Sequence, residues 1–214
     1  MEGRRSIFRK DIEWVLEFGH YSPRLEKKIS AGKQVGCVIG LAVVGDCTGM
    51  TIDIEVTACE AADGRGSIRI SGIVEEEEMD TRGQKLRKTS SAKSSVDNVL
   101  TVLKRAANID TGKYDLHLNF PGGIPIDGSS AGTAISVAIL SAIRNMPVDN
   151  SLALTGELSI RGKVKPVGGV AAKVEAARLA GITRVLIPKE NWQEMFSDWI
   201  LRLYRLRVSV RYLK

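Results

Sequence analysis

The segment PGGIPIDGSSA, Pro121 to Ala131, runs without a break into AGTAISVAILSAI, and this junction constrains the chain more than any other stretch. Gly and Pro mark a loop, and the small and branched apolar residues that follow read as a helix. The join is therefore a helix N-terminus, where unpaired backbone N–H groups and the positive end of the dipole face the loop. One acid, Asp127, and two hydroxyls, Ser129 and Ser130, are delivered to that end. Such amides can take a serine hydroxyl as a cap, or they can hold an oxyanion. Taken alone, the cap is the simpler account.

A second element changes the balance. In GKVKPVGGVAAKVEAARLAG, residues 162 to 181, a Gly168-Gly169 turn leads into a small-residue amphipathic helix from Val170 to Ala180, closed by Gly181. Val170, Val174, Ala177 and either Leu179 or Ala180 form its buried stripe. Lys173 lies beside that stripe in the first turn or so. An apolar wall and the helix dipole both oppose an ammonium there, and a neutral amine is what a serine needs as its general base. A lone lysine at such a place is more commonly a snorkelling surface residue. Beside Ser130, it forms a candidate nucleophile–base pair.

These two blocks, IDGSSAGTAISVAILSA and LTGELSIRGKVKPVGGVAAKVEAARLAGITRVLIPKEN, resemble the proteolytic domain of the Lon protease family, in its LonB-like form. The resemblance runs from about Val35 to Asn191 and is ungapped from Ser130 onward. It implies a serine endopeptidase with a Ser–Lys dyad: Ser130 as nucleophile and Lys173, four residues after the Gly-Gly pair, as base. The family loop reads D-G-P-S-A-G, so Ser129 stands where proline is usual and adds a second hydroxyl. The resemblance also implies supporting roles for Thr155 near the lysine, for Asp127 in orienting or gating the dyad, and for Glu55 in the early strands. His117 and Asn119 fall where bacterial relatives often carry two histidines; only His117 keeps one.

Further expectations come with the family. The substrates would be unfolded or damaged polypeptides, added as an extended strand. Assembly would be a hexameric ring, fed by an ATPase module that is part of the full-length protein. This chain has no P-loop: its Gly-Lys pairs, Gly32-Lys33, Gly112-Lys113 and Gly162-Lys163, are not followed by Ser or Thr. No cofactor is expected here, ATP-Mg belonging to the ATPase module alone. Alternatives are a latent protease domain, inactive until ring assembly, and a non-catalytic assembly module. A phosphate-binding reading would need a longer glycine loop than PGGIPIDGSSAG.

Composition narrows the class. At 214 residues and 43% apolar content the chain can bury one good core. The longest apolar run, VGCVIGLAVVG, is Gly-broken and too short to span a bilayer. With no signal-peptide pattern at the start, a cytoplasmic location is expected. Cys37, Cys47 and Cys59 lack metal spacing and read as small residues of a reduced protein. The net charge of +6 is spread along the chain, with only Tyr204 and Tyr212 among the basic tail residues. A solvated charged surface explains this better than a nucleic-acid stacking platform.

The expected fold class is α+β, with mixed sheets and packed helices. Residues 1–34 read as a junction resembling the end of the ATPase module, 35–200 as the proteolytic domain, and 201–214 as a basic C-terminal strand or tail. A helix is expected at 10–18 with Asp11 as cap. Strands are expected at 35–44, 50–58, 67–74, 114–120 and 183–187, and helices at 90–107 and 190–196.

Overall fold

The computed structural model describes residues 8–18, 29, 32–44, 48–72, 78–81, 84–87, 91–122, 128–195 and 209–213. The architecture is α+β. Seven strands build the central sheet: β1 (Cys37–Val44), β2 (Thr48–Glu60), β3 (Ile68–Ser71), β4 (Tyr114–Asn119), β5 (Leu152–Leu154), β6 (Arg184–Pro188) and β7 (Ser209–Leu213). Their spatial order is β7-β6-β5-β1-β2-β4-β3. The β1/β2 and β2/β4 pairs are antiparallel; β4/β3, β1/β5, β5/β6 and β6/β7 are parallel. The helices are α1 (Arg9–Phe18), α2 (Ser91–Ala106), α3 (Gly132–Arg144), α4 (Val170–Leu179) and α5 (Lys189–Met195).

Strand alternation explains the layers. Side chains of successive strand residues point to opposite faces, and β1 shows the consequence directly. Val38 and Ala42 join one apolar cluster with Ile135, Ala138 and Ile139 of α3 and Val96 and Val99 of α2. Ile39 and Leu41 join a second cluster with Val170, Val174 and Ala177 of α4. So α2 and α3 cover one face of the sheet and α4 covers the other. Within β2, Met50, Ile52, Ile54 and Val56 are buried in step, all in the first cluster. A fully buried side chain of this size contributes roughly 1.5–3 kcal/mol. Ile54, Leu118, Ile135 and Ile139, each 0% exposed, therefore make the sheet–α3 contact the main anchor of the fold.

Several sequence expectations shift in detail. The 67–74 strand is Ile68–Ser71, with Val74 outside the described residues. Asp11 does not cap α1 from its own start. Its carboxylate accepts the Phe8 N–H at 2.9 Å, so Phe8 holds the cap position and Asp11 reaches back to it. In the basic C-terminal stretch, Ser209–Leu213 adds to the sheet parallel to β6. Of the two residues left open for the end of the α4 stripe, Ala180 is buried and Leu179 is 43% exposed.

Candidate active site

Ser130 does not cap α3. It lies in a 3-10 turn, Gly128–Ala131, that precedes the helix; Ala131 is the residue at the helix start, with no side-chain cap. Ser130 therefore precedes the first residue of α3 by two positions. The turn places Ser130 in a buried position, 9% exposed, while Ser129 is half-buried. Asp127 lies outside the described residues.

On the opposite wall, Gly168-Gly169 opens α4. Gly169 sits at the helix start with φ +65°, a conformation that disfavours side chains. A Cβ there would also press on Val43 of β1. Lys173 N donates to Gly169 O at 3.0 Å, so the first α4 turn is set by this glycine. Gly49 of β2 permits the close approach of that turn: a side chain at Gly49 would collide with the Ala172 carbonyl. Lys173 is consequently 2% exposed, buried with Val170, Val174 and Ala177.

Thr155, just beyond β5, joins the two walls. The Lys173 Nζ donates to Thr155 Oγ1 at 3.3 Å, and Thr155 Oγ1 donates to Ser130 O at 3.3 Å. Thr155 N donates to Leu186 O of β6 at 3.0 Å, which ties the hydroxyl's backbone to the sheet. Thr155 is 0% exposed. One buried hydroxyl thus touches the candidate base and the candidate nucleophile's own peptide group.

Glu55, His117 and Asn119 gather elsewhere on the sheet. Cross-strand register puts Glu55 opposite Cys37 and Asn119, on the α4 side of the sheet. Asn119 Nδ2 donates to Glu55 Oε2 at 2.9 Å. The Ser71 hydroxyl donates to Asn119 Oδ1 at 2.9 Å and lies 3.0 Å from His117 Nε2. With that hydroxyl proton used on Asn119, the contact fits a histidine protonated at Nε2. The network His117–Ser71–Asn119–Glu55 spans β3, β4 and β2, and sequence reading missed Ser71, its central member.

Asn191 was also missed. It is 1% exposed, and both ends of its side-chain amide engage Val167: Val167 N donates to Oδ1 at 2.8 Å, and Nδ2 donates to Val167 O at 3.0 Å. The turn before α4 is held by this single residue of α5. The signal for it is faint, since an asparagine in IPKEN reads equally well as a surface helix residue. Among the described residues no group of three or more His, Cys, Asp or Glu is placed to hold a metal ion, and no helix is long and apolar enough to cross a membrane.

A mixed sheet thus carries a buried serine turn, threonine and lysine on facing walls, and the chain's relatives place that framework among proteolytic domains. Residues 7–200 match the family model described as the Lon protease (S16) C-terminal proteolytic domain, and the chain belongs to that family. Lon protease 2 of Bacillus subtilis is 50% identical over 197 residues, covering 92% of this chain and 35% of the relative. The archaeal Lon protease of Thermococcus kodakarensis is 34% identical over 212 residues, covering 91% and 31%. That of Methanothermobacter thermautotrophicus is 42% identical over 171 residues, covering 79% and 24%. The chain thus spans at most 35% of the length of these relatives.

Proposed function

We propose that this chain is a serine endopeptidase in which Ser130 is the nucleophile and Lys173 the general base. The observation that carries the reading is the buried contact chain from Lys173 Nζ through the Thr155 hydroxyl to Ser130 O. Ser130 Oγ attacks the scissile carbonyl carbon while neutral Lys173 takes its proton. The carbonyl oxygen becomes an oxyanion, held by backbone N–H groups of the 3-10 turn. Lys173 then protonates the leaving amine as the C–N bond breaks. Water attacks the acyl ester through the same base and releases the new carboxyl end. Thr155 Oγ1 accepts a hydrogen bond from Lys173 Nζ throughout, which helps to fix the lysine rotamer.

Unfolded polypeptides suit this site as substrates, because backbone bonding to an extended chain asks for little sequence choice. The relatives' additional length accommodates an ATPase module, and assembly into a ring with it is part of the proposal. Supporting roles for Glu55, His117 and Asp127, as the family resemblance implies, are part of the proposal, with Ser129 next to the nucleophile in sequence.

The test is hydrolysis of casein without ATP by the wild-type chain, Ser130→Ala and Lys173→Ala, each sized by light scattering. Cleavage by wild type, lost in both variants at unchanged assembly, is the expected result. Cleavage that survives in either variant overturns the dyad. Because the two residues act as a unit, each single loss should approach the loss seen with both.

A further inference from the structure

We propose that Gly156 is a positioning residue for the catalytic pair, its backbone clamping the serine turn to the sheet against the Thr133 side chain. The inference rests on the Ser130–Lys173 reading given above and concerns how those two groups are held in register.

Gly156 bonds the serine segment at both of its backbone ends. Its N–H donates to Ser130 O at 2.9 Å, and its carbonyl accepts the Thr133 N–H at 3.0 Å. These bonds bracket the passage from the 3-10 turn into α3, Ser130 to Thr133, over which the backbone changes from one helix type to the other. The preceding residue, Thr155, is fixed to β6 through its own amide and Leu186 O. A segment anchored to the sheet therefore serves as the template on which the serine turn rests. The same anchoring delivers the Thr155 hydroxyl between Lys173 and Ser130.

The clamp closes only because residue 156 has no side chain. A Cβ there would lie 2.8 Å from Thr133 Cγ2, 3.2 Å from Thr133 Oγ1 and 3.1 Å from Val164 Cγ1. Thr133 is 4% exposed, so it has no solvent to retreat into. Both side chains are packed, Thr133 inside the core, so relief parts residue 156 from residues 130 and 133. A displacement of that kind moves Ser130 relative to Lys173 while leaving the β-sheet core intact. Misplacement by about 1 Å away from the reacting atoms costs on the order of 100-fold in rate. The clamped turn carries the nucleophile, so the loss should fall on kcat.

The experiment compares wild type, Ser130→Ala, Gly156→Ala, and Gly156→Ala combined with Thr133→Ser. The double variant removes Thr133 Cγ2, the atom closest to the new methyl, and keeps the hydroxyl. Steady-state cleavage of a fluorogenic peptide gives kcat and KM, and amide hydrogen exchange reports the Thr133 N–H directly. Expected for Gly156→Ala are a kcat lower by roughly 100-fold, a KM within about threefold of wild type, and faster exchange at Thr133 with sheet amides still protected. The double variant should regain both rate and protection. A folded Gly156→Ala with wild-type kcat or unchanged Thr133 exchange overturns the clamp. So does a folded double variant still roughly 100-fold slower than wild type, a comparison that stands even when the single variant is too unstable to assay. Cleavage retained by Ser130→Ala overturns the dyad reading itself, a distinct result.

Discussion

Asn191 grips Val167 like a strand partner: the Val167 N–H donates to Asn191 Oδ1 at 2.8 Å and the Asn191 Nδ2 donates to Val167 O at 3.0 Å. Val167 begins the turn that leads through Gly168 and Gly169 into the lysine-bearing helix. A side chain on α5 thereby fixes where Lys173 enters the site.

Asn191→Ala should lower the unfolding free energy by about 1–3 kcal/mol, because both Val167 backbone groups lose their partner in a part-buried setting. Urea denaturation measures this. Asn191→Asp keeps the acceptor and loses the donor, so it should also destabilise. A change below about 0.5 kcal/mol for the alanine variant would show that the turn holds itself.

The candidate serine and lysine stand out in the sequence because each sits in a contiguous motif whose local chemistry is informative. Ser130 follows a Gly- and Pro-rich loop and Lys173 a Gly-Gly turn, so neither depends on distant packing to be noticed. Asn191 and Gly156 do depend on it. Their roles exist only once α5 lies over the α4 turn and the Thr155–Gly156 segment lies against α3. The same limit applies to β5, since the three residues Leu152–Leu154 are too short for periodicity to register. The helical pattern correctly joined loop to helix, but it could not reveal the 3-10 turn that places Ser130 ahead of α3.

Thr155→Val tests the hydroxyl that links the two walls. Valine keeps the branched shape and removes the acceptor for Lys173 Nζ and the donor to Ser130 O. The lysine amine then loses the bond that sets its position against Ser130, and kcat should fall on the order of 100-fold with little change in KM. Thr155→Ser retains the hydroxyl and should stay within about tenfold of wild type. Equal rates for the valine and wild-type proteins would remove Thr155 from the site.

Asp149 gives a pH-dependent prediction. Its carboxylate accepts the Ser151 N–H at 2.9 Å and lies 2.7 Å from Arg184 Nη2. The Ser151 hydrogen bonds, and after them the charges of Arg184 and Lys33, hold its pKa below the ordinary aspartate value. A folded-state pKa below the unfolded one means stability that is fully present above the unfolded value, about 3.9. That stability is lost as pH falls through the lower folded value. Asp149→Asn should therefore melt below wild type at pH 7, and the gap should shrink as pH drops below about 4. Parallel melting curves across that range would contradict the assignment.

Thr133 carries a hydroxyl whose oxygen is buried without a hydrogen-bond partner among the described residues. Its methyl packs at Gly156, but its Oγ1 gains nothing from that contact. An unsatisfied buried hydroxyl costs about 1–3 kcal/mol, a cost that an apolar group of the same shape avoids. Thr133→Val should accordingly raise the unfolding free energy by about 1 kcal/mol or more, and the melting temperature by roughly 2–4 °C per kcal/mol for a chain of this size. Calorimetry on the two proteins decides the matter. A loss of stability would mean that the hydroxyl has a partner, such as a buried water held between α3 and the Gly156 segment, and that water would then belong to the support of the serine turn.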